Sequence, residues 1–323
     1  MITSNRQSKN WGPFARRLKT PDDAPEPLRS ALFGGLTPED DIRLLIFSPA
    51  DCAMAKDSQP TILVVTDRGW LVVGENDADS AKVARCDFAN TVLVEMTSIL
   101  LYGLLRIDFA TGGPVQSSTI RFNTVTRGLF QEAAELLLNG MDSVTMVTPV
   151  ESREMHPIVD ALPLKFCNAL LEFTPMGQRA LAAVHWPAIL GQRRLWFQPE
   201  LAPQAALAVT DRELLVVSEE KAWRRMRPGQ TPKYGNIVTH CPFSRIEILQ
   251  VCEHSDMNTV DVTLRVAQGS EKLKIPFPRE RKQEVQDLID VASRQAGKIK
   301  TANPLNGLTL GRNGNHLHMF GRG

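Results

Sequence analysis

Two clusters of basic and aromatic side chains are the residues of this chain best suited to chemistry, and that chemistry is the recognition of anions. Arg193, Arg194, Trp196 and Phe197 form one cluster. Lys221, Trp223, Arg224, Arg225, Met226, Arg227 and Lys233 form the other, in a stretch without an acid after Glu220. Guanidinium groups grip phosphate oxygens in a bidentate fork, and Trp settles where an apolar medium meets a polar one. The plainer alternative is a pair of solvated loops whose aromatic rings fold back onto their own domain. A third feature is apolar. Residues 98–103 read SILLYG, so Ile99, Leu100, Leu101 and Tyr102 stand where a turn is due. Such a tip implies a cover: the rest of the chain, another subunit, a membrane or a partner. A longer strand with a shifted turn would also account for it.

The elements that must position these residues come from an internal duplication. VTDRGWLVV (Val65 to Val73) returns as VTDRELLVV (Val209 to Val217), 144 positions later. Upstream, SALFGGLTP (Ser30 to Pro38) matches NALLEFTP (Asn168 to Pro175). Downstream, Cys86-Asp87-Phe88 matches Cys241-Pro242-Phe243 at an offset of 155, and that offset holds to Ile120-Arg121-Phe122 and Ile275-Pro276-Phe277. Repetition at this scale sets the architecture before any single residue does. The change of offset places an 11-residue insertion, containing the second basic cluster, between Val217 and Cys241 of the second copy.

Seven short runs in the first copy have strand character, near residues 42–47, 62–66, 70–73, 83–86, 92–96, 104–109 and 117–122. Thr66-Asp67-Arg68-Gly69 reads as a tight turn. The period then changes: Phe130, Ala133, Ala134 and Leu137 share a helical face, with Asn139-Gly140 as the stop, and Val285, Leu288, Ile289 and Ala292 repeat the face in the second copy. The fold class predicted is α+β: two tandem domains, each a bent seven-stranded antiparallel sheet or open barrel closed by a C-terminal helix. The divisions are 1–26, a basic arm and linker; 27–142, the first domain; 143–162, a linker; 163–296, the second domain; and 297–323, a flexible basic tail. Within the arm, Trp11, Phe14 and Leu18 fall on one helical face, although Gly12-Pro13 interrupts it and a disordered tail is the plainer state. In a meandering sheet the loops after the first and third strands leave from one end, so the two basic clusters should converge.

Thr66-Asp67-Arg68 and Thr210-Asp211-Arg212, each followed by an apolar run, resemble the turn after the second strand in bacterial pleckstrin-homology-like and GRAM-like domains. The resemblance covers most of both copies. It implies a tandem of such domains, and that the loop end carrying the basic clusters is where ligands bind. Folds of this kind host lipid binding, peptide binding and pure scaffolding.

Composition narrows the reading. The 323 residues are 43% hydrophobic and 23% charged, typical of a globular chain, and no apolar run approaches the roughly 18 residues of a membrane span. No secretory signal is evident. Five cysteines, an odd number and widely spaced, fit a reducing cytoplasm. The net charge of +1 hides an acidic first copy, −9 over residues 21–142, flanked by basic ends of +5 over residues 1–20 and +4 over residues 297–323. The acidic copy argues against nucleic acid as a partner.

A catalytic reading finds little support. There is no phosphate-binding Gly loop, paired-His zinc helix or nucleophile elbow. His240 adjoins Cys241, but the matching Cys86 has Arg85 beside it, so the pair reads as packing and not as base and nucleophile. His316 and His318 have no further ligands at usable spacing, so neither a metal nor a cofactor is expected. The expected protein is a non-enzymatic scaffold, cytoplasmic and peripheral at a membrane. Its second copy would recognise an anionic surface through Arg193, Arg194, Trp196, Trp223, Arg224, Arg225 and Arg227. Its first would make protein contacts, or self-associate, through Ile99, Leu100, Leu101 and Tyr102. The alternative is a structural subunit of a larger assembly with no lipid role.

Overall fold

The computed structural model describes residues 12–50, 59–75, 81–142, 157–191, 199–219, 235–255 and 257–302. The first copy contains β1 (Arg16–Arg17), α1 (Leu28–Gly35), β2 (Ile42–Ser48), β3 (Thr61–Thr66), β4 (Gly69–Glu75), β5 (Ala81–Asp87), β6 (Thr91–Ile99), β7 (Tyr102–Phe109), β8 (Gln116–Asn123) and α2 (Arg127–Asp142). The second contains α3 (Pro157–Asp160), α4 (Leu164–Phe173), β9 (Ala180–Trp186), β10 (Ile189–Leu190), β11 (Glu200–Ala202), β12 (Ala205–Thr210), β13 (Glu213–Glu219), β14 (Gly235–Pro242), β15 (Ile246–Glu253), β16 (Asn258–Val266), β17 (Gly269–Phe277) and α5 (Lys282–Ala302).

The class is α+β with antiparallel strands. The duplication extends to hydrogen-bond register: Thr91 faces Phe109 as Ile246 faces Leu264, and Gly69 faces Asp87 as Glu213 faces Pro242. Even the irregularities repeat. The ladder slips between Thr91 and Leu93 and, 155 residues on, between Ile246 and Ile248. The Thr-Asp-Arg motif has a structural cause in both copies. The Thr66 hydroxyl accepts from the amides of Arg68 and Gly69, and the Thr210 hydroxyl from those of Arg212 and Glu213, locking the β3–β4 and β12–β13 turns.

The single bent sheet per domain does not form, and among the described residues no barrel closes. Each copy divides its strands. A five-stranded sheet runs β1-β2-β3-β4-β5, a three-stranded sheet runs β15-β16-β17, and between them a seven-stranded sheet runs β8-β7-β6-β14-β13-β12-β9. The short 3-10 turn Phe88–Asn90 redirects the chain after β5, and β6 then pairs with β14 of the other copy, Gly235 opposite Ile99 through His240 opposite Val94.

Helices cover both faces of the leading sheets, which is why those strands read as unbroken apolar runs. On the inner face of the first copy, Phe130, Ala133 and Leu137 of α2 meet Leu63, Val65 and Trp70. On its outer face Leu28 and Leu32 of α1 meet Ile62, Val64 and Leu71. The second copy repeats this, with Leu288 and Ile289 of α5 against Leu207 and Leu214, and Phe166 and Leu170 of α4 against Ala206 and Leu215. The opening helices escape a reading by strand period, because α1 offers only two buried leucines before Gly34-Gly35.

Two further expectations change. Part of the N-terminal arm is built into the first copy: β1 pairs with β2, Ala15 and Leu18 are buried, Arg17 forms an ion pair with Glu132, and Pro21–Asp23 is a capped 3-10 turn. This is not the Trp11–Phe14–Leu18 helical face; Phe14 is exposed, and Trp11 lies outside the described residues. The second concerns the helix stop. α2 runs through Asn139-Gly140 to Asp142. Gly140 serves packing instead: a Cβ there would lie 2.5 Å from the Phe88 ring. Gly to Ala at an open helical site gains up to about 1 kcal/mol. Here Gly140→Ala is expected to lose about 1–3 kcal/mol through overpacking, measured as a lower urea midpoint with unchanged slope.

Candidate functional site

The seven-stranded sheet is antiparallel throughout, so alternate connections emerge at the same end. Asn123, Tyr102, Ile99 and Gly235 stand in one row across β8, β7, β6 and β14. The row continues through Glu219, paired with Asn236, and through Ala205, which faces Ser218 on one side and Trp186 on the other. The β6–β7 turn, the β13–β14 connection and the β9–β12 connection therefore share one edge of the molecule.

The apolar turn is a two-residue hairpin, because β6 runs on to Ile99 before the chain reverses. In the second copy the equivalent hairpin closes earlier, with Glu253 opposite Asn258. The four apolar residues divide. Ile99 is half-buried against Gly235 of the second copy, where a Cβ would lie 2.3 Å from Ile99 Cγ1, and Tyr102 is half-buried too. Leu100 and Leu101 remain 67% and 54% exposed. Leu100 also adopts a φ of 51°, a left-handed conformation that costs a branched residue roughly 1 kcal/mol. Thr124 holds the turn in place, its hydroxyl donating to the Leu100 carbonyl at 2.6 Å and its amide to that of Leu101 at 3.1 Å. Exposed Val125 follows directly.

Residues 193, 194, 196, 223, 224, 225 and 227, where the basic and aromatic site side chains were expected, lie outside the described residues. Their points of departure do not. The 220–234 segment leaves from Glu219 and returns at Gly235, next to Ile99. The 192–198 segment leaves from Gly191 and returns at Pro199, which flank the β10–β11 ladder. That ladder continues β9 and β12 outward past the sheet, with Ile189 opposite Ala202 and Leu190 opposite Glu200. Ile42 faces Thr66 whereas Ala180 faces Thr210, so the second copy carries six more residues here than the first. Lys165 at the start of α4 forms an ion pair with Glu219, which brings exposed Leu164 to this end as well. Sequence spacing singled out the two basic segments; that the turn of the other copy would stand beside Gly235, where the second of them ends, was hidden, because it depends on the β6–β14 pairing.

No protein-family model matches this chain.

A second polar group lies inside the joint between the copies. Arg245 is buried and donates to the carbonyls of Phe88 at 2.8 Å and Met141 at 3.0 Å, closing the C-terminal end of α2. Ser244 donates to Asp142 at 2.8 Å, and Thr239 to Glu95 at 3.1 Å. His240 Nδ1 lies 3.0 Å from Glu213 Oε2, both side chains nearly inaccessible. His240 and Cys241 are consecutive in a strand and point to opposite faces; Cys241 packs in the core beside Phe243, and burial pushes its thiol well above the ordinary range. The matching Cys86 is pushed up to about 11, also by burial. These thiols are packing groups, and among the described residues no cluster could hold a metal ion.

Burial pushes the Asp142 carboxyl up to about 6, with Glu213 adding to the shift and Ser244, Arg212 and Arg245 opposing it. A carboxyl raised in the fold favours the folded state below its ordinary pKa near 4, and that contribution is lost as the pH climbs through 6. Asp142→Asn keeps an acceptor for Ser244 and removes the charge. The variant is expected to be more stable than the parent at pH 7, by on the order of 2 kcal/mol, and equal to it at pH 4. Urea midpoints at the two pH values measure this.

Proposed function

We propose that this protein is a non-enzymatic recruitment or scaffold protein, built from two pleckstrin-homology-like units, that seats one end of its long sheet on an anionic membrane surface. The four-plus-three division of strands with a closing helix in each copy supports the domain reading. The observation that carries the function is the exposed pair Leu100 and Leu101, held on a strained and hydrogen-bonded turn beside the departure points of two basic–aromatic segments.

Magnitudes favour a combined contact. Seating two leucines in an apolar layer yields about 3–5 kcal/mol, which alone corresponds to roughly millimolar affinity. Each Arg near an anionic leaflet adds about 1 kcal/mol. With Arg193, Arg194, Arg224, Arg225 and Arg227 engaged, the sum reaches roughly 8–10 kcal/mol, or micromolar binding. Neither half suffices on its own, so binding should need both anionic lipid and intact leucines. In this arrangement the first copy contributes an insertion tip where a protein contact was expected, since the turn's protein contact, Ile99 on Gly235, lies within the chain. No helix among the described residues is long and apolar enough to cross a membrane, so attachment in this proposal is peripheral.

Flotation with vesicles of anionic or neutral lipid, at low and high salt, tests the proposal. The protein is expected to float with anionic vesicles only and to be released by salt. Arg224→Glu/Arg225→Glu and Leu100→Asp/Leu101→Asp should each lower binding by at least tenfold while leaving the thermal midpoint unchanged. No flotation with anionic vesicles at low salt would sink the membrane reading, and undiminished flotation of the charge-reversal variant would remove the basic segments from it. Leu100→Gly relieves the left-handed strain and should not lower the midpoint, yet it should weaken binding.

A further inference from the structure

The joint between the copies leaves its own two halves unused elsewhere in the molecule. β6 of the first copy pairs with β14 of the second. By the 155-residue offset, β15 corresponds to β6, and β5 corresponds to β14. Among the described residues both are edge strands: β5 ends the five-stranded sheet and β15 ends the three-stranded sheet. An edge strand presents unpaired backbone groups to any strand of matching register. We infer that the protein self-associates head to tail, β15 of one molecule pairing antiparallel with β5 of the next, and so repeats between chains the joint already formed within each chain.

Side chains at the two edges support this. Val83 on β5 is 42% exposed and Ile248 on β15 is 44% exposed, the apolar residues most open to solvent on these strands. Their counterparts across the repeat are Val238, within the internal joint, and Leu93, one residue past its last pair, and both are buried. Transposing the internal register sets Val83 opposite Val251, Lys82 opposite Cys252 and Arg85 opposite Leu249, with Glu247 diagonal to Arg85 on the same face. The edges also differ in sign. β5 carries Lys82 and Arg85 with one acid, Asp87, at its end, whereas β15 carries Glu247 and Glu253 and no cation. Pairing β15 with β15 would bring only acids together, whereas pairing it with β5 brings Glu247 near Arg85, so the heterologous pair is favoured. Arg85 and Glu247 already form ion pairs with Asp40 and Arg265, so their charges govern partner choice more than strength.

The external joint is weaker than the internal one. At the positions of Arg245, Ser244 and Thr239 the repeat supplies Asn90, Ala89 and Ala84, so the polar bonds that reinforce the internal joint have no counterparts. A contact of one strand pair is small, and its association should be reversible and concentration-dependent. A heterologous contact of this kind generates a ring or an open chain.

A disulfide reads the register directly, because opposed residues of antiparallel strands bring their Cα atoms within disulfide range. In a Cys52→Ser background, Lys82→Cys should join Cys252 of a second molecule under mild oxidation. The expected result is a ladder of multiples of the chain mass on non-reducing gels, absent from the Cys52→Ser parent and abolished by Cys252→Ala. Sedimentation of the unmodified protein should show a mean mass that rises with concentration, and Val83→Asp/Ile248→Asp should reduce that rise without shifting the thermal midpoint. A ladder that survives Cys252→Ala, or no ladder at the highest soluble concentration, would overturn the inference. Neither outcome depends on membrane binding, which the flotation assay reads separately.

Discussion

Strand β6 is hydrogen-bonded on both sides, and most of the molecule follows from that. On one side lies β7, its neighbour in sequence, and on the other lies β14, from the second copy. Because of the second pairing, two copies that could have been linked bodies share one seven-stranded sheet. The cores become continuous too: α4 and the outer face of β12 and β13 belong to the same apolar cluster as α2 and the interior of the first copy. Loosening the β6–β14 ladder would therefore expose the backbone of two central strands along with the packing of three helices.

The joint explains the buried polar residues. A β-sheet edge pairs equally well with many partners, and a slip of one residue would turn every side chain to the wrong face. Arg245 can reach the carbonyls of both Phe88 and Met141 in one register only, and Ser244 and Thr239 each find a single carboxylate. The raised Asp142 carboxyl is a cost of that arrangement. Buried ionic groups seldom add net stability, but they penalise alternatives strongly, since an unpaired buried charge is expensive. Thr-Asp-Arg plays the corresponding part at the turns, where side-chain hydrogen bonds fix the two hairpins on which all later register depends.

Strand positions within a copy were legible because two versions of the same pattern could be laid over each other, and the offsets of 144 and 155 reappear as ladder partners. The closing helices were legible from period, although the Asn139-Gly140 stop was misplaced: a glycine ends a helix where it takes a left-handed conformation, and Gly140 stays helical beneath the Phe88 ring. The pairing of the copies left a fainter trace. β15 reads IEILQVCE, with Glu247, Gln250 and Glu253 interrupting the apolar residues of a half-covered strand, whereas β6 reads TVLVEMTSI, with Val92, Leu93 and Val94 in succession. The contrast marks β6 as covered on both faces but does not name its neighbour. Non-local pairing of this kind has no local signature, since what is recognised is backbone.

The composite end of the sheet is a consequence of register. In an antiparallel sheet, connections alternate between the two ends, so the β6–β7 turn and the β13–β14 connection could have lain at opposite ends had the copies joined in parallel. The antiparallel joint puts Ile99 beside Gly235, and the apolar turn of one copy then stands next to the point where the chain of the other returns from residues 220–234. Each copy alone would hold half of such a surface. The second copy's own turn at that position, between Glu253 and Asn258, is polar, and the first copy has no counterpart of the 11-residue insertion. Divergence after duplication thus separated the apolar and basic parts onto different copies, and the strand pairing sets the apolar turn beside Gly235, the residue that follows the second basic segment.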